Sequence, residues 1–207
     1  MCSIRWQALK SAYAPTGDRL PKRFGQGRFF LQNGHALILG GARSGKSRFG
    51  EKVALKLSPS PAYIATANAG DAEMKKRIAE HKSNRSTRFT TFEEPLHLAG
   101  AITEAALEHE AILVDCLTLW LSNLMFSEDG AVDEGIKELL AVLKKTSSAR
   151  IILISNEVGQ GIVPDNKLAR EFRDEAGLMH QQVASVSENV VFVTAGIPVA
   201  LKGSLCP

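Results

Sequence analysis

Short apolar runs alternate with longer amphipathic segments from residue 36 onwards. Each run is apolar at nearly every position, not at every second one, which is typical of strands buried on both faces of a parallel sheet. Such strands are predicted at residues 36–39, 62–66, 112–115, 150–155 and 190–194, with a shorter one at 89–92.

Helices are predicted between the strands, at residues 46–57, 71–82, 95–108, 133–145 and 166–186. In the last of them, apolar residues recur at three- and four-residue intervals and form one stripe that faces the sheet. The alternation of strands and helices predicts an α/β fold with a mostly parallel sheet and helices on both of its faces.

Residues 1–35 do not follow this pattern. They mix prolines, glycines and aromatic residues, and they carry six basic residues against one acid. We expect a flexible basic N-terminal extension, interpreted as a tail, as the product of a start codon placed too far upstream, or as an organellar transit peptide. Residues 36–207 are long enough for a single domain with a full core.

Composition and charge exclude several classes of protein. The net charge is +3, but the basic excess lies in the extension, so the folded part has no basic patch that predicts nucleic-acid binding. No apolar run reaches the roughly 18 residues of a membrane span, and no secretory signal is visible, so a cytoplasmic location is expected. Cys2, Cys116 and Cys206 lie far apart, which predicts neither a disulfide framework nor a zinc site.

The segment between the first strand and the first helix carries a phosphate-binding motif. Its sequence is Gly40-Gly41-Ala42-Arg43-Ser44-Gly45-Lys46-Ser47, which fits G-x-x-x-x-G-K-[ST] in full. The glycines let successive backbone N–H groups point at one anion, and the helix N-terminus adds its partial positive charge. Lys46 is expected to reach the β and γ phosphates and Ser47 to bind Mg²⁺. The motif predicts a P-loop NTPase-like nucleotide-binding catalytic domain at 36–207.

Asp115 closes an apolar run and therefore lies at the carboxyl end of a strand, the edge where open α/β sheets bind ligands. Beside a complete P-loop, this aspartate is predicted to hold Mg²⁺; the alternative is a helix cap. A switch-type GTPase would need an N-K-x-D motif, and the nearest candidate, residues 166–169, has Ala169 in place of the acid.

Four segments together resemble one family. They are residues 40–47, 73–82, 155–164 and 196–198, and the Asn-Glu-Val-Gly-x-Gly-Ile-Val-Pro sequence at 156–164 is the most specific of them. They resemble the bifunctional adenosylcobinamide kinase and adenosylcobinamide-phosphate guanylyltransferase of cobalamin biosynthesis, over about residues 37–202. The resemblance implies phosphorylation of the aminopropanol hydroxyl of adenosylcobinamide. Transfer of GMP from GTP onto the new phosphate then gives adenosylcobinamide-GDP.

The resemblance also implies ligands and site residues. GTP, ATP and Mg²⁺ are the implied cofactors, and the chain is expected to form a homotrimer. His81 matches the histidine that carries GMP, whereas the residues alone do not distinguish it from the other four histidines. The implied nucleotide contacts outside the P-loop are Ala65, Thr66, Ala67, Lys82, Ser83, Asn84, Arg85, Glu93 and Asp115.

Several of these positions keep a second interpretation. Lys82 and Arg85 are either placed to stabilise departing pyrophosphate or belong to a solvated basic helix end. Glu93, next to Glu94, is either a nucleotide contact or ordinary surface. Asn156, with Glu157 after it, ends a predicted central strand beside two glycines, and we expect this loop to help form the corrinoid or phosphoacceptor site.

Two other functions fit the P-loop. One is a small-molecule kinase in which His81 is only structural, and retention of the α-phosphate on the protein separates it from the transferase. The other is a nucleotide-dependent binding or regulatory ATPase, which would hydrolyse slowly and make no corrinoid product.

Overall fold

A computed structural model describes residues 30–31, 34–68, 79, 82–83, 85–127 and 131–206. The strands are β1 (Phe30–Leu31), β2 (Ala36–Gly40), β3 (Ala62–Ala65), β4 (Thr90–Glu93), β5 (Ala111–Asp115), β6 (Arg150–Asn156), β7 (Asn189–Thr194), β8 (Ile197–Lys202) and β9 (Leu205–Cys206). The helices are α1 (Lys46–Leu57), α2 (Leu98–Ala105), α3 (Leu117–Met125), α4 (Val132–Lys145) and α5 (Lys167–Val186).

Seven strands form one sheet in the order β4-β3-β5-β6-β2-β7-β8. All neighbours pair in parallel except β7 and β8, which form an antiparallel hairpin. A separate pair joins β1 to β9. The predicted α/β class with a mostly parallel sheet is confirmed, and the strand β6 lies between the P-loop strand β2 and the strand β5 that ends at Asp115.

Successive strand residues point to opposite faces of the sheet, and both faces are covered. Leu37 and Leu39 pack into the cluster formed with α2, α3, α4 and α5. Ala36 and Ile38 pack into a second cluster under α1. Full coverage of the central strands β2, β3, β5 and β6 explains why their sequences are apolar at nearly every position, whereas the strands β4 and β8 at the two edges are largely exposed.

Four elements were not predicted, and one helix is shorter than predicted. Two of the four are the short paired strands β1 and β9. The helix α3 has a mostly apolar sequence whose few polar residues do not form a clear amphipathic period that would mark it as a helix. The strand β8 follows a turn in which Ala195 and Gly196 both have positive φ, of 50° and 78°. The helix α2 starts at Leu98 instead of residue 95, because the Glu94 carboxylate accepts bonds from the backbone N–H groups of residues 96 and 97.

The predicted helix at 71–82 falls mostly outside the described residues. Ala79 and Lys82 are the described members, and both are helical. The division at residue 35 stays a prediction, but His35 itself is buried in the domain. Its Nδ1 accepts from the backbone N–H of Ile151 at 3.1 Å, so Nε2 carries the proton and donates to the carbonyl of Leu143 at 2.9 Å. None of the described helices combines the length and apolarity needed to cross a membrane.

Candidate nucleotide site

The P-loop connects the end of β2 to the first turn of α1. Arg43 and Gly45 have φ of 55° and 96°, and glycine tolerates this left-handed conformation at little cost. Ser44 N–H donates to the Gly41 carbonyl at 3.2 Å, which closes the turn. Among the described residues no side chain caps α1, so the N–H groups of its first turn are available to a phosphate.

Two neighbouring strands hold the loop in place through their backbones. Glu157 N–H, just after β6, donates to the Gly40 carbonyl at 3.1 Å, and Gly196 N–H, in the β7–β8 turn, donates to the Ser44 carbonyl at 2.8 Å. A Cβ on Gly45 would lie 3.3 Å from the Gly196 Cα. The hairpin turn therefore supports the P-loop directly, a contact that the sequence does not predict.

The lining of the loop fits a polyphosphate. A Cβ on Gly41 would meet nothing within 4 Å, so the loop is open on that side. The Ser44 hydroxyl is buried without a hydrogen-bond partner among the described residues, and an anion would satisfy it. Lys46 is only 7% exposed, and its ammonium donates to the Gly41 carbonyl at 3.1 Å across the loop.

The predicted contacts on the other strands lie at the same edge of the sheet. Pairing aligns Ala65 of β3 with Glu93 on one side and with Asp115 on the other. Asn156 of β6 is paired with Gly40. The carboxyl ends of these parallel strands thus bring together groups that are up to 116 residues apart in the sequence.

Thr66 fastens the end of β3 to the residue after Asp115. Its hydroxyl donates to the Cys116 carbonyl and accepts from the Cys116 N–H, both at 2.8 Å. Thr66 is fully buried, so its hydroxyl is occupied by these bonds. The nucleotide contacts expected at Ala65, Thr66 and Ala67 stay predictions.

Asp115 lies in a charged and aromatic cluster. Tyr63 donates its hydroxyl proton to Asp115 Oδ2 at 2.9 Å. Burial and the nearby Asp115 charge raise the pKa of the Cys116 thiol to about 11, while its hydrogen bond with Thr118 and the charge of Lys46 act in the other direction. A thiol that is protonated near neutral pH is a poor nucleophile.

The oxygen donors fit a magnesium ion. Ser47 offers a hydroxyl in the first turn of α1 and Asp115 a carboxylate at the end of β5, and both are half-buried. Mg²⁺ prefers oxygen ligands and usually takes one or two protein groups besides phosphates and waters. The predicted ligand pair is therefore chemically adequate, and its role as a metal site stays a prediction.

The segment after the predicted nucleophile borders the same cluster. Lys82 forms an ion pair with Glu93, and both side chains are largely exposed. The Arg85 guanidinium stacks on Tyr63, and its Nη1 donates to the Thr91 hydroxyl at 3.0 Å. Ser83 is described and exposed, whereas His81 and Asn84 lie outside the described residues.

Asn156 joins β6 to the start of α3. Its Nδ2 donates to the Thr118 hydroxyl at 2.9 Å, and the same hydroxyl lies 3.2 Å from the Cys116 sulfur. Tyr63 and Thr118 were both missed by the sequence interpretation. A lone hydroxyl in the apolar run that begins α3 is the signal that marks Thr118.

A complete P-loop between a central parallel strand and a helix, with an aspartate at the same sheet edge two strands away, defines a P-loop nucleotide-binding protein. The fold agrees with two solved structures. An ATPase from the type III secretion system of pathogenic bacteria matches with a TM-score of 0.51 at 12% identity, over 78% of this chain and 51% of that one. A protein from Pyrococcus horikoshii OT3 also matches with a TM-score of 0.51, at 8% identity over 85% and 89%.

Sequence comparison narrows this class to one family. The family model described as cobinamide kinase / cobinamide phosphate guanyltransferase matches residues 36–201. The chain belongs to this family, and the resemblance drawn from its motifs is confirmed.

Curated relatives carry names that agree with the family. The bifunctional adenosylcobalamin biosynthesis protein CobP of Pseudomonas aeruginosa is 49% identical over 167 residues, which are 81% of this chain and 96% of that protein. The corresponding CobU of Salmonella typhimurium is 39% identical over 180 residues, 80% of this chain and 98% of that protein. The predicted bifunctional kinase and guanylyltransferase class is therefore supported over nearly the whole length of these relatives.

Proposed function

We propose that this chain phosphorylates the aminopropanol hydroxyl of adenosylcobinamide and then transfers GMP from GTP to that phosphate, giving adenosylcobinamide-GDP. The observation that carries the proposal is the family match over residues 36–201, which includes the whole P-loop and the Asn156 loop. The two reactions are proposed to share the P-loop, because both use a nucleoside triphosphate whose β and γ phosphates this loop can hold.

In the kinase reaction the P-loop N–H groups and Lys46 hold the β and γ phosphates of ATP or GTP. Ser47 and Asp115 would hold Mg²⁺, which supplies positive charge to the phosphate oxygens. The substrate hydroxyl attacks the γ-phosphorus, its proton is lost, and the nucleoside diphosphate leaves. Lys46 stabilises the charge that develops on the transferred group and the leaving oxygen.

In the transferase reaction His81 is the covalent carrier. A neutral imidazole nitrogen attacks the α-phosphorus of GTP, a P–N bond forms, and the bond to the β-phosphate breaks to release pyrophosphate. A phosphate oxygen of adenosylcobinamide phosphate then attacks the same phosphorus, and the P–N bond breaks. The histidine is regenerated, and a new diphosphate linkage joins GMP to the corrinoid.

The residues proposed to act in this step include both cationic and acidic side chains. Lys82, Ser83, Asn84 and Arg85 are proposed to bind the triphosphate, with the two cations stabilising pyrophosphate as it leaves. Glu93 lies at the same edge of the sheet and forms an ion pair with Lys82. The proposed role of Glu93 is to hold Lys82 at the nucleotide.

The corrinoid is proposed to lie against the loop that follows β6. This loop exposes two large apolar side chains, Ile162 at 97% and Val163 at 57%. Asn156, at the base of the loop, is half-buried and paired with the first P-loop residue, so it can orient a phosphoacceptor beside the nucleotide. An apolar rim with one polar group at its base suits a large ligand that carries a reacting hydroxyl.

Two further properties follow from the resemblance: the chain assembles as a homotrimer and uses ATP as well as GTP. The cytoplasmic location expected from the sequence completes the proposal. Light scattering on protein eluted from a size-exclusion column measures the oligomeric state. A monomer at all protein concentrations would contradict the homotrimer.

The decisive experiment labels GTP on either the α or the γ phosphate. Purified protein is incubated with Mg²⁺ and each label, then denatured, and acid-labile radioactivity on the chain is counted. We expect label from the α position only, and none on the His81→Ala variant. The matched control is His97→Ala, an exposed histidine before α2, which should label like the unchanged protein.

Two outcomes would change the assignment. Absence of α label in protein that binds nucleotide and phosphorylates adenosylcobinamide would leave only the kinase. Absence of both activities, with slow hydrolysis, would favour the regulatory ATPase.

A further inference from the structure

Tyr63 is a buried residue of β3 whose hydroxyl reaches the candidate metal carboxylate. It is 2% exposed, and its hydroxyl donates to Asp115 Oδ2 at 2.9 Å. The hydroxyl is the donor in this bond, because an ionised carboxylate can only accept.

The ring of Tyr63 carries a second contact on its face. The Cζ atom of Arg85 lies 3.4 Å from the ring centroid, within the range of a cation–π interaction. Arg85 is anchored there by its bond to Thr91, which is the strand partner of Tyr63. Its Nε is buried and has no hydrogen-bond partner among the described residues, so the guanidinium keeps an unused donor.

We propose that Tyr63 is a positioning residue that holds the Asp115 carboxylate in the orientation needed for Mg²⁺ and couples that orientation to Arg85. The proposal rests on the proposed function at one point, the role of Asp115 as a metal ligand. Through this chain of contacts, the segment that follows the predicted nucleophile acts on the metal carboxylate at the end of β5.

The physical basis is that the carboxylate of an aspartate at the end of a strand can rotate unless a hydrogen bond fixes its orientation. Hydrogen-bond partners that orient a metal ligand typically contribute about 10–100-fold to metal affinity or activity. Asp115 is bonded through Oδ2 to Tyr63, and its other oxygen, Oδ1, would be the one to bind Mg²⁺. A phosphate bound by the Arg85 guanidinium would change the contact of Arg85 with the ring and so the restraint on the carboxylate.

The test is the Mg²⁺ dependence of nucleotide binding, measured by calorimetry with a non-hydrolysable GTP analogue. Tyr63→Phe removes the hydroxyl and keeps the ring. We expect the Mg²⁺ concentration at half-maximal enhancement of binding to rise about tenfold, with unchanged affinity in the absence of Mg²⁺. Phe89→Leu is the matched control, because Phe89 packs edge-on against the same ring at 5.6 Å without touching the hydroxyl bond. It should lower the melting temperature and leave the Mg²⁺ midpoint in place.

Arg85→Met tests the coupling. In the unchanged background it should shift the Mg²⁺ midpoint about threefold, and in Tyr63→Phe protein it should add nothing, because the link is already broken. Full additivity of the two shifts would overturn the coupling.

Asp115→Asn distinguishes the positioning role of Tyr63 from the metal-binding role of Asp115. If it shifts the midpoint and Tyr63→Phe does not, the positioning role is wrong while the metal site survives. If neither variant shifts it, the metal role of Asp115 fails and the positioning role fails with it.

Discussion

The two halves of the nucleotide site are held by different kinds of contact. In the P-loop half, residues 40–47 are fixed by backbone hydrogen bonds from Glu157 and Gly196. In the acidic half, Asp115 accepts a hydrogen bond from the side chain of Tyr63, Arg85 stacks on the Tyr63 ring, and Lys82 pairs with Glu93 beside them. Backbone contacts hold the P-loop whatever the neighbouring side chains are, whereas the acidic half depends on the identity of each side chain.

The largest expected effect comes from the P-loop lysine. Lys46→Ala removes a buried cation from the phosphate site, and we expect kcat/KM for both reactions to fall about 100- to 1000-fold. Lys52→Ala, an exposed lysine on the same helix, is the matched control and should leave both rates unchanged. A fall in only one of the two rates would show that the reactions do not share this loop.

A change at Gly45 breaks the backbone support of the P-loop half. Gly45→Ala places a Cβ at φ 96° and 3.3 Å from the Gly196 Cα, so we expect the free energy of unfolding to fall by about 1–2 kcal/mol and nucleotide affinity by about tenfold. Gly100→Ala is the control of opposite sign. It lies inside α2 with nothing within 4 Å of the new Cβ, and should stabilise the protein by about 0.5–1 kcal/mol. Thermal and urea unfolding measure both.

Asn156 lies between the two halves. Asn156→Ala removes the bond to Thr118, and we expect kcat for phosphorylation to fall about tenfold with little change in nucleotide affinity, because the amide orients the acceptor. Asn166→Ala is the matched control, since Asn166 caps α5 through the N–H groups of residues 168 and 169. It should cost about 1 kcal/mol of stability and leave the kinetics unchanged. Unaltered kinetics in Asn156→Ala would remove this residue from the acceptor site.

The smallest effect is expected at the exposed ion pair of the acidic half. Glu93→Gln removes the partner of Lys82, and the free energy of unfolding should change by less than about 0.5 kcal/mol, because both side chains are solvated. The KM for GTP should rise about threefold if Glu93 holds Lys82 at the triphosphate. Glu134→Gln breaks a comparable exposed pair with Lys137 on α4 and should leave KM alone.

The same contrast explains which parts of the site could be predicted from the sequence. The P-loop motif is local, since eight consecutive residues between a strand and a helix contain its donors, its cation and its hydroxyl. Asp115 was recognisable because it ends an apolar strand. Tyr63 was not, because it lies inside a strand like any other buried aromatic residue, and its hydroxyl bond depends on the register between β3 and β5.

The helix α3 and the hairpin strand β8 escaped prediction for physical reasons. The helix α3 is buried on several sides, and its few polar residues are too scattered for a helical period to be recognised. The β7–β8 hairpin turns at Ala195 and Gly196, and only the tertiary structure reveals that Gly196 then donates to the P-loop.

The sequence by itself determined the fold class, the P-loop and the family, because these depend on apolar periodicity and on residues that are adjacent or closely spaced. Tertiary structure alone decided which side chains meet at the carboxyl edge of the sheet. The strand order places β6 between β2 and β5, and strand pairing aligns Asp115 with Ala65 and Glu93. Contacts between residues distant in the chain depend on strand order and register, which are set by packing of the whole core and not by any single segment.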